Sequence, residues 1–190
     1  GLWRKDAAAD SAPRTATLMN FIALHDGNRL PRQGRPLDFK PRTKNFLDDL
    51  DAFLTDLEKS GRKVMVVFVP EHGAALRGDI RQVAKLRDIP APRITLVPVL
   101  VKFMGLPNLP KEQIHVTGGT SYLALTTLIG KVLSSNYFSK PEGAVPLGQL
   151  VADLPQTNRV SENAQSTVLD YKGVDYLRQN GGKWQKYEPR

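Results

Sequence analysis

Three stretches of the chain are almost unbroken runs of apolar residues. They are "TLMNFIAL" at 17–24, "KVMVVFV" at 63–69 and "ITLVPVLVKF" at 94–103. Runs without polar alternation predict strands covered on both faces. Pro98 inside the third argues for an edge or a bulge. "QIHVTGG" at 113–119 is a shorter strand candidate. Two other stretches repeat with helical period. From 43 to 60, Phe46, Leu47, Leu50, Phe53, Leu54 and Leu57 form one stripe, with Asp48, Asp49, Asp51, Asp56 and Glu58 off it. That pattern predicts an amphipathic helix, stopped by Gly61. Residues 120–135 predict a second helix, capped by Thr120 or Ser121, with Leu125, Leu128, Ile129, Val132 and Leu133 as its stripe.

The remainder reads as connections and a small sheet. Residues 136–164 are loop-like apart from a short helix candidate, "LGQLVADL". The tail "STVLDYKGVDYLRQNGGKWQKYE" carries turn signals at Lys172-Gly173 and Asn180-Gly181-Gly182, and so predicts a three-strand antiparallel meander. Strand, helix, strand over 17–69 suggests a βαβ unit. The expected fold class is therefore α/β: a mostly parallel sheet flanked by helices, with the meander at its end. The expected divisions are an α/β core at 17–135, a connecting segment at 136–164 and the meander at 165–188.

In parallel sheets, ligands sit beyond the carboxyl ends of the strands. Two polar clusters fall there, "HDGN" at 25–28 and "PEHG" at 70–73. Parallel strands would bring His25, Glu71 and His72 to one sheet edge. Carboxylate and imidazole are both ligands for a cation such as Zn²⁺. Neighbouring strand residues point to opposite faces, so one metal requires the backbone to leave strand geometry. Pro70 and Gly73 bracket the pair and allow that. The alternative is a solvated Glu-His at a strand end. Alone, His25 reads more often as a turn histidine hydrogen-bonded to backbone, and His115, with no acidic neighbour, as structural. Arg77, Arg81 and Arg87 are all candidates to clamp a phosphate, and composition does not choose among them.

Composition narrows the partners. The 190 residues suffice for a real core, and apolar content of 41% with 24% charged is ordinary for a globular chain. No cysteine is present, which excludes disulfides, Cys-type zinc fingers and a Cys nucleophile within the chain. No run approaches the roughly 20 apolar residues of a membrane helix, and the first residues lack a signal-like core. The chain itself is expected to be soluble. The formal charge of +8 favours anionic partners. The densest basic stretch, 29–44, is broken by prolines 31, 36 and 41 and reads as a solvated loop. Only Phe39 falls within it, so nucleic-acid binding is not expected. A polyanion-binding module through 29–44 is the non-enzymatic alternative. Walker, G-x-G-x-x-G, H-E-x-x-H and G-x-S-x-G motifs are all absent from the sequence.

"IALHDGN", "FLDDLDAFLTDLEKSGRKVMVVFVPEHGAALRGD", "LRDIPAPRITLVPVLVKF", "LPQTNRVSEN" and "RQNGGKW" together resemble, in order, the C-terminal half of the catalytic domain of the BcsG family of bacterial cellulose phosphoethanolamine transferases. The resemblance covers nearly all of 17–187. It implies a partial alkaline-phosphatase-like fold and a zinc-dependent transfer of phosphoethanolamine from phosphatidylethanolamine to a glucosyl hydroxyl of cellulose. Glu71 and His72 would then be zinc ligands, where related lipid A transferases have Asp-His. His25 would contact the substrate phosphoryl or ethanolamine group, and Arg87 would line that pocket. The parent protein would work at the periplasmic face of the inner membrane, beside other cellulose synthase subunits. In the family, the nucleophilic serine and at least one more zinc ligand lie upstream of the position matching residue 1. The resemblance therefore implies a chain that needs an N-terminal half, holds zinc weakly and is inactive alone. A sulfatase or phosphodiesterase of the same superfamily is the enzymatic alternative.

Overall fold

The computed structural model describes residue 12 and residues 14–25, 38–107, 109–110, 113–139 and 145–188. The chain divides into two compact units, Gly1–Ser60 and Gly61–Arg190.

The first unit is built on helix α1 (Phe39–Lys59). It begins earlier than the stripe predicts and takes in the basic residues Lys40, Arg42 and Lys44. Pro41 is tolerated there because the first-turn N–H groups have no intrahelical acceptor. The loop expected at 29–44 is thus helical from 39 onward, and 29–37 lies outside the described residues. Phe46 and Leu57 are buried, Leu50, Phe53 and Leu54 are partly buried, and Leu47 is exposed. Gly61 follows in the left-handed region, φ +66°, where a side chain is disfavoured.

Residues 17–24 do not form the expected strand. They run without regular structure into a turn at 23–25, and Leu18 is 96% exposed. Apolar content alone does not make a strand; the ladder needs a partner, and the described residues supply none here.

The second unit opens with β1 (Val64–Phe68), within the predicted 63–69. Its partner is β2 (Leu100–Met104), and the pairing is antiparallel, with Val66 opposite Lys102. The βαβ expectation is corrected here: among the described residues both sheets are antiparallel. The 94–103 run is also divided. Helix α2 (Pro92–Thr95) takes its first part, and the strand starts only after Pro98, which cannot donate to a ladder. Residues 113–119 form no strand and are exposed.

Helix α3 (Tyr122–Ser134) is capped by Ser121, whose hydroxyl accepts the Leu123 N–H at 3.3 Å. It buries Ala124, Leu128 and Val132, while the predicted stripe member Leu133 is exposed. Leu128 and Val132 form a core with Tyr137 and with Leu150 of α4 (Leu147–Ala152). Met65, Val101 and Phe103 pack against it, so one face of the β1–β2 ribbon is covered.

The tail forms a four-stranded sheet in chain order: β3 (Val160–Glu162), β4 (Ser166–Tyr171), β5 (Val174–Gln179) and β6 (Gln185–Lys186). The expected meander is β4 to β6; β3 adds an edge. Lys172 and Gly173 both have positive φ, 54° and 79°, as a tight hairpin turn requires. One sheet face buries Val168 and Leu177 against Ile89, Ala91 and Tyr187.

Candidate metal and phosphoryl site

The backbone leaves strand geometry as soon as β1 ends. Gly73 donates its N–H to the Ile94 carbonyl at 2.7 Å, clipping the chain onto α2. The approach is so close that a Cβ on residue 73 would lie 2.0 Å from the Arg93 carbonyl oxygen. Only glycine fits without moving one of the two segments. The departure that two adjacent ligands require is therefore present, and a contact with α2 holds it in place.

His72 has a defined hydrogen-bond pattern. Its Nδ1 lies 2.8 Å from the Gly73 carbonyl oxygen, and its Nε2 meets the Arg87 guanidinium. A carbonyl only accepts and a guanidinium only donates. That pattern puts the proton on Nδ1 and gives the Nε2 lone pair to Arg87. Metal-ligating histidines share the tie of one nitrogen to a carbonyl, but coordinate through the other nitrogen, which here is taken by Arg87. Glu71 precedes it and is exposed, as are His72 and Arg87.

The loop that carries Arg87 is braced by Asp79. Its carboxylate accepts the N–H groups of Arg81 at 2.7 Å and Gln82 at 2.9 Å, and the Tyr187 hydroxyl at 2.9 Å. It also pairs with the Arg93 guanidinium. Burial alone would raise the Asp79 pKa. Those hydrogen bonds and the Arg93 charge outweigh it, leaving the carboxyl below its ordinary value. Burial and the Asp79 partner push Tyr187 up to about 12, so its hydroxyl stays a donor. Arg93 also donates to the Arg77 carbonyl at 2.8 Å. The sequence reading missed this brace. Its one local signal is an Asp two residues before the turn it holds.

The structure brings His72 and Arg87 together, with Glu71 beside them. Arg77 and Arg81 are exposed on the same loop, and Arg81 donates to Gln185 at 2.6 Å. His25 lies in the first unit, where its carbonyl accepts from Arg42 at 2.6 Å. His115 is exposed on irregular chain. Among the described residues, no group of three or more His, Asp or Glu side chains is placed to hold a metal. Glu71 and His72 are a carboxylate and an imidazole, the donor types zinc takes, but they are two where a zinc site uses three or four protein ligands, and Arg87 holds the His72 Nε2.

The described residues thus form a mixed helix-and-strand chain with a carboxylate–imidazole pair just past a strand end. Residues 1–184 match the family described as "Cellulose biosynthesis protein BcsG C-terminal domain", and the chain belongs to that family. A relative from Salmonella typhimurium named "Cellulose biosynthesis protein BcsG" is 46% identical over 187 residues, covering 97% of this chain. The Escherichia coli protein of the same name is 47% identical over 187 residues. The chain spans 33% of the length of each relative. The family and both relatives are named for cellulose biosynthesis. Among the described residues no helix is long and apolar enough to cross a membrane.

Proposed function

We propose that this chain supplies half of the metal site of a zinc-dependent phosphoethanolamine transferase. The donor is phosphatidylethanolamine and the acceptor is a hydroxyl of cellulose. The observation that carries the reading is the Glu71–His72 pair just past β1, with His72 Nδ1 tied to the Gly73 carbonyl and Nε2 held by Arg87, which a bound zinc would replace there. Family membership supports the cellulose connection.

In this reading Glu71 and His72 hold the zinc, and the longer protein provides the other donors and the nucleophile. Zinc, when bound, lowers the nucleophile's pKa and offsets charge on the phosphoryl oxygens. Arg87, released from His72 when zinc takes the Nε2 lone pair, binds those oxygens, donating N–H groups to charge that grows in the transition state. The longer protein also supplies parallel neighbours for β1, completing an alkaline-phosphatase-like sheet. It acts at the periplasmic face of the inner membrane, with other cellulose synthase subunits as partners.

The test compares the 190-residue chain with the longer protein. The chain alone is expected to bind zinc weakly and to turn over no phosphodiester. The longer protein is expected to bind zinc stoichiometrically and to lose both zinc and transfer on Glu71→Ala or His72→Ala. Tight zinc with turnover by the chain alone, or full activity in either variant, overturns the reading.

A further inference from the structure

The loop between β1 and α2 is built inside out. Its polar side chains hold it together from within. The Asp79 side chain is 1% exposed. Gln82 is also buried, donating to the Leu86 carbonyl at 2.7 Å and accepting the Ile89 N–H at 2.7 Å. Gly78 packs so closely that a Cβ there would lie 2.7 Å from the Gln82 carbonyl oxygen. The apolar side chains of the same loop face outward. Ile80 is 82% exposed and Val83 66%, and Leu76 and Leu86 are exposed as well. A loop stabilised only by water would reverse this arrangement.

The cations are interleaved with them. Arg77, Arg81 and Lys85 are all exposed within 76–86. Apolar residues alternating with Lys and Arg match a bilayer surface: the apolar groups enter the headgroup boundary and the cations meet anionic heads. We propose that residues 76–86 form a docking loop for a membrane surface that carries anionic lipid. The proposal rests on the lipid-donor reading above and adds to it the route by which the donor arrives. Leu86 is followed directly by Arg87, which holds His72. Seating the loop in the headgroup layer brings the candidate site to the depth of the lipid phosphodiester.

The test is cosedimentation of the 190-residue chain with vesicles of phosphatidylethanolamine and phosphatidylglycerol, against vesicles of phosphatidylcholine alone. Binding to the first is expected, weakening with salt. The double change Ile80→Asp, Val83→Asp is expected to weaken it at least tenfold. Arg77→Gln with Lys85→Gln is expected to weaken it several-fold and flatten the salt dependence. These positions are exposed, so the melting temperature should be unchanged. In the longer protein, cleavage of a soluble phosphoethanolamine ester should be unaffected by the Ile80/Val83 change. If the transferase reading fails, the ester is not cleaved while vesicle binding persists. Equal vesicle binding by the wild-type and Asp variants overturns the docking loop. So does protection of 76–86 from hydrogen exchange by the longer protein's own chain in the absence of lipid.

Discussion

The C-terminal sheet and the β1–β2 ribbon are both antiparallel, but they are finished to different degrees. In β4 and β5, buried Val168 and Leu177 stand opposite each other, and residues 79–94 cover that face. Each strand there has a neighbour from adjacent sequence, joined by short turns. β1 is partly buried along its whole length and, among the described residues, has β2 alone as a partner. One face of the ribbon meets the α3 core, while Leu100 and Lys102 of β2 are exposed. A two-stranded ribbon is marginal by itself. The contrast separates a sheet with a face covered along two paired strands from a ribbon with a single pairing among the described residues.

The strongest way to break the comparison is a pair of core truncations. Leu177→Ala should cost about 2–5 kcal/mol in the 190-residue chain, read by denaturant unfolding. Val66→Ala in β1 should cost only about 1 kcal/mol there. In the longer protein the Val66 cost should rise toward that of Leu177, because added strands would bury it. Equal costs in the short chain would show that the ribbon is already complete.

A smaller effect sharpens the link between sheet and site. The Asp79 pKa is held below its ordinary value of 3.8 in the folded chain. A depressed carboxyl contributes stability above its unfolded value and loses it as pH falls through the folded one. The wild-type chain should therefore lose stability as pH drops below about 4. Asp79→Asn should show a flatter profile in that window, followed by thermal melts across pH. An unchanged profile would mean that other carboxyls set the acid limit.

The smallest effect lies in a turn. Lys172 adopts φ 54° beside Gly173, a conformation that asparagine accepts more readily. Lys172→Asn should stabilise the hairpin by a few tenths of a kcal/mol. The gain is held down by loss of the Lys172 ammonium, 5.3 Å from the Tyr171 ring. A lower melting temperature in the variant would show that the ring contact outweighs the turn strain.

How much of this is legible in the sequence follows the same division. Most of the α1 stripe, one of the two cap candidates (Ser121) and the two hairpin turns are legible, because their causes lie within a few residues, whereas Leu47 is exposed and the helix starts earlier than its stripe. The parallel pairing is not found, since strand direction depends on distant partners. Residues 17–24 show the limit plainly: an apolar run forms a ladder only where another strand meets it. The Glu71–His72 pair stands out by its position after β1. Its useful detail, the tautomer of His72, depends on Arg87 fifteen positions along the sequence. The Asp79 brace escapes because Tyr187 and Arg93 reach it from separate elements.

Gly73 has one more consequence, for inheritance. Its backbone lies against the Arg93 carbonyl with no room for even a methyl group. The position next to the candidate ligands is therefore open to a single letter of the amino-acid alphabet. A lineage can re-equip the loop beyond it, exchanging apolar and basic residues as its surroundings change. It cannot alter residue 73 without displacing the histidine that precedes it.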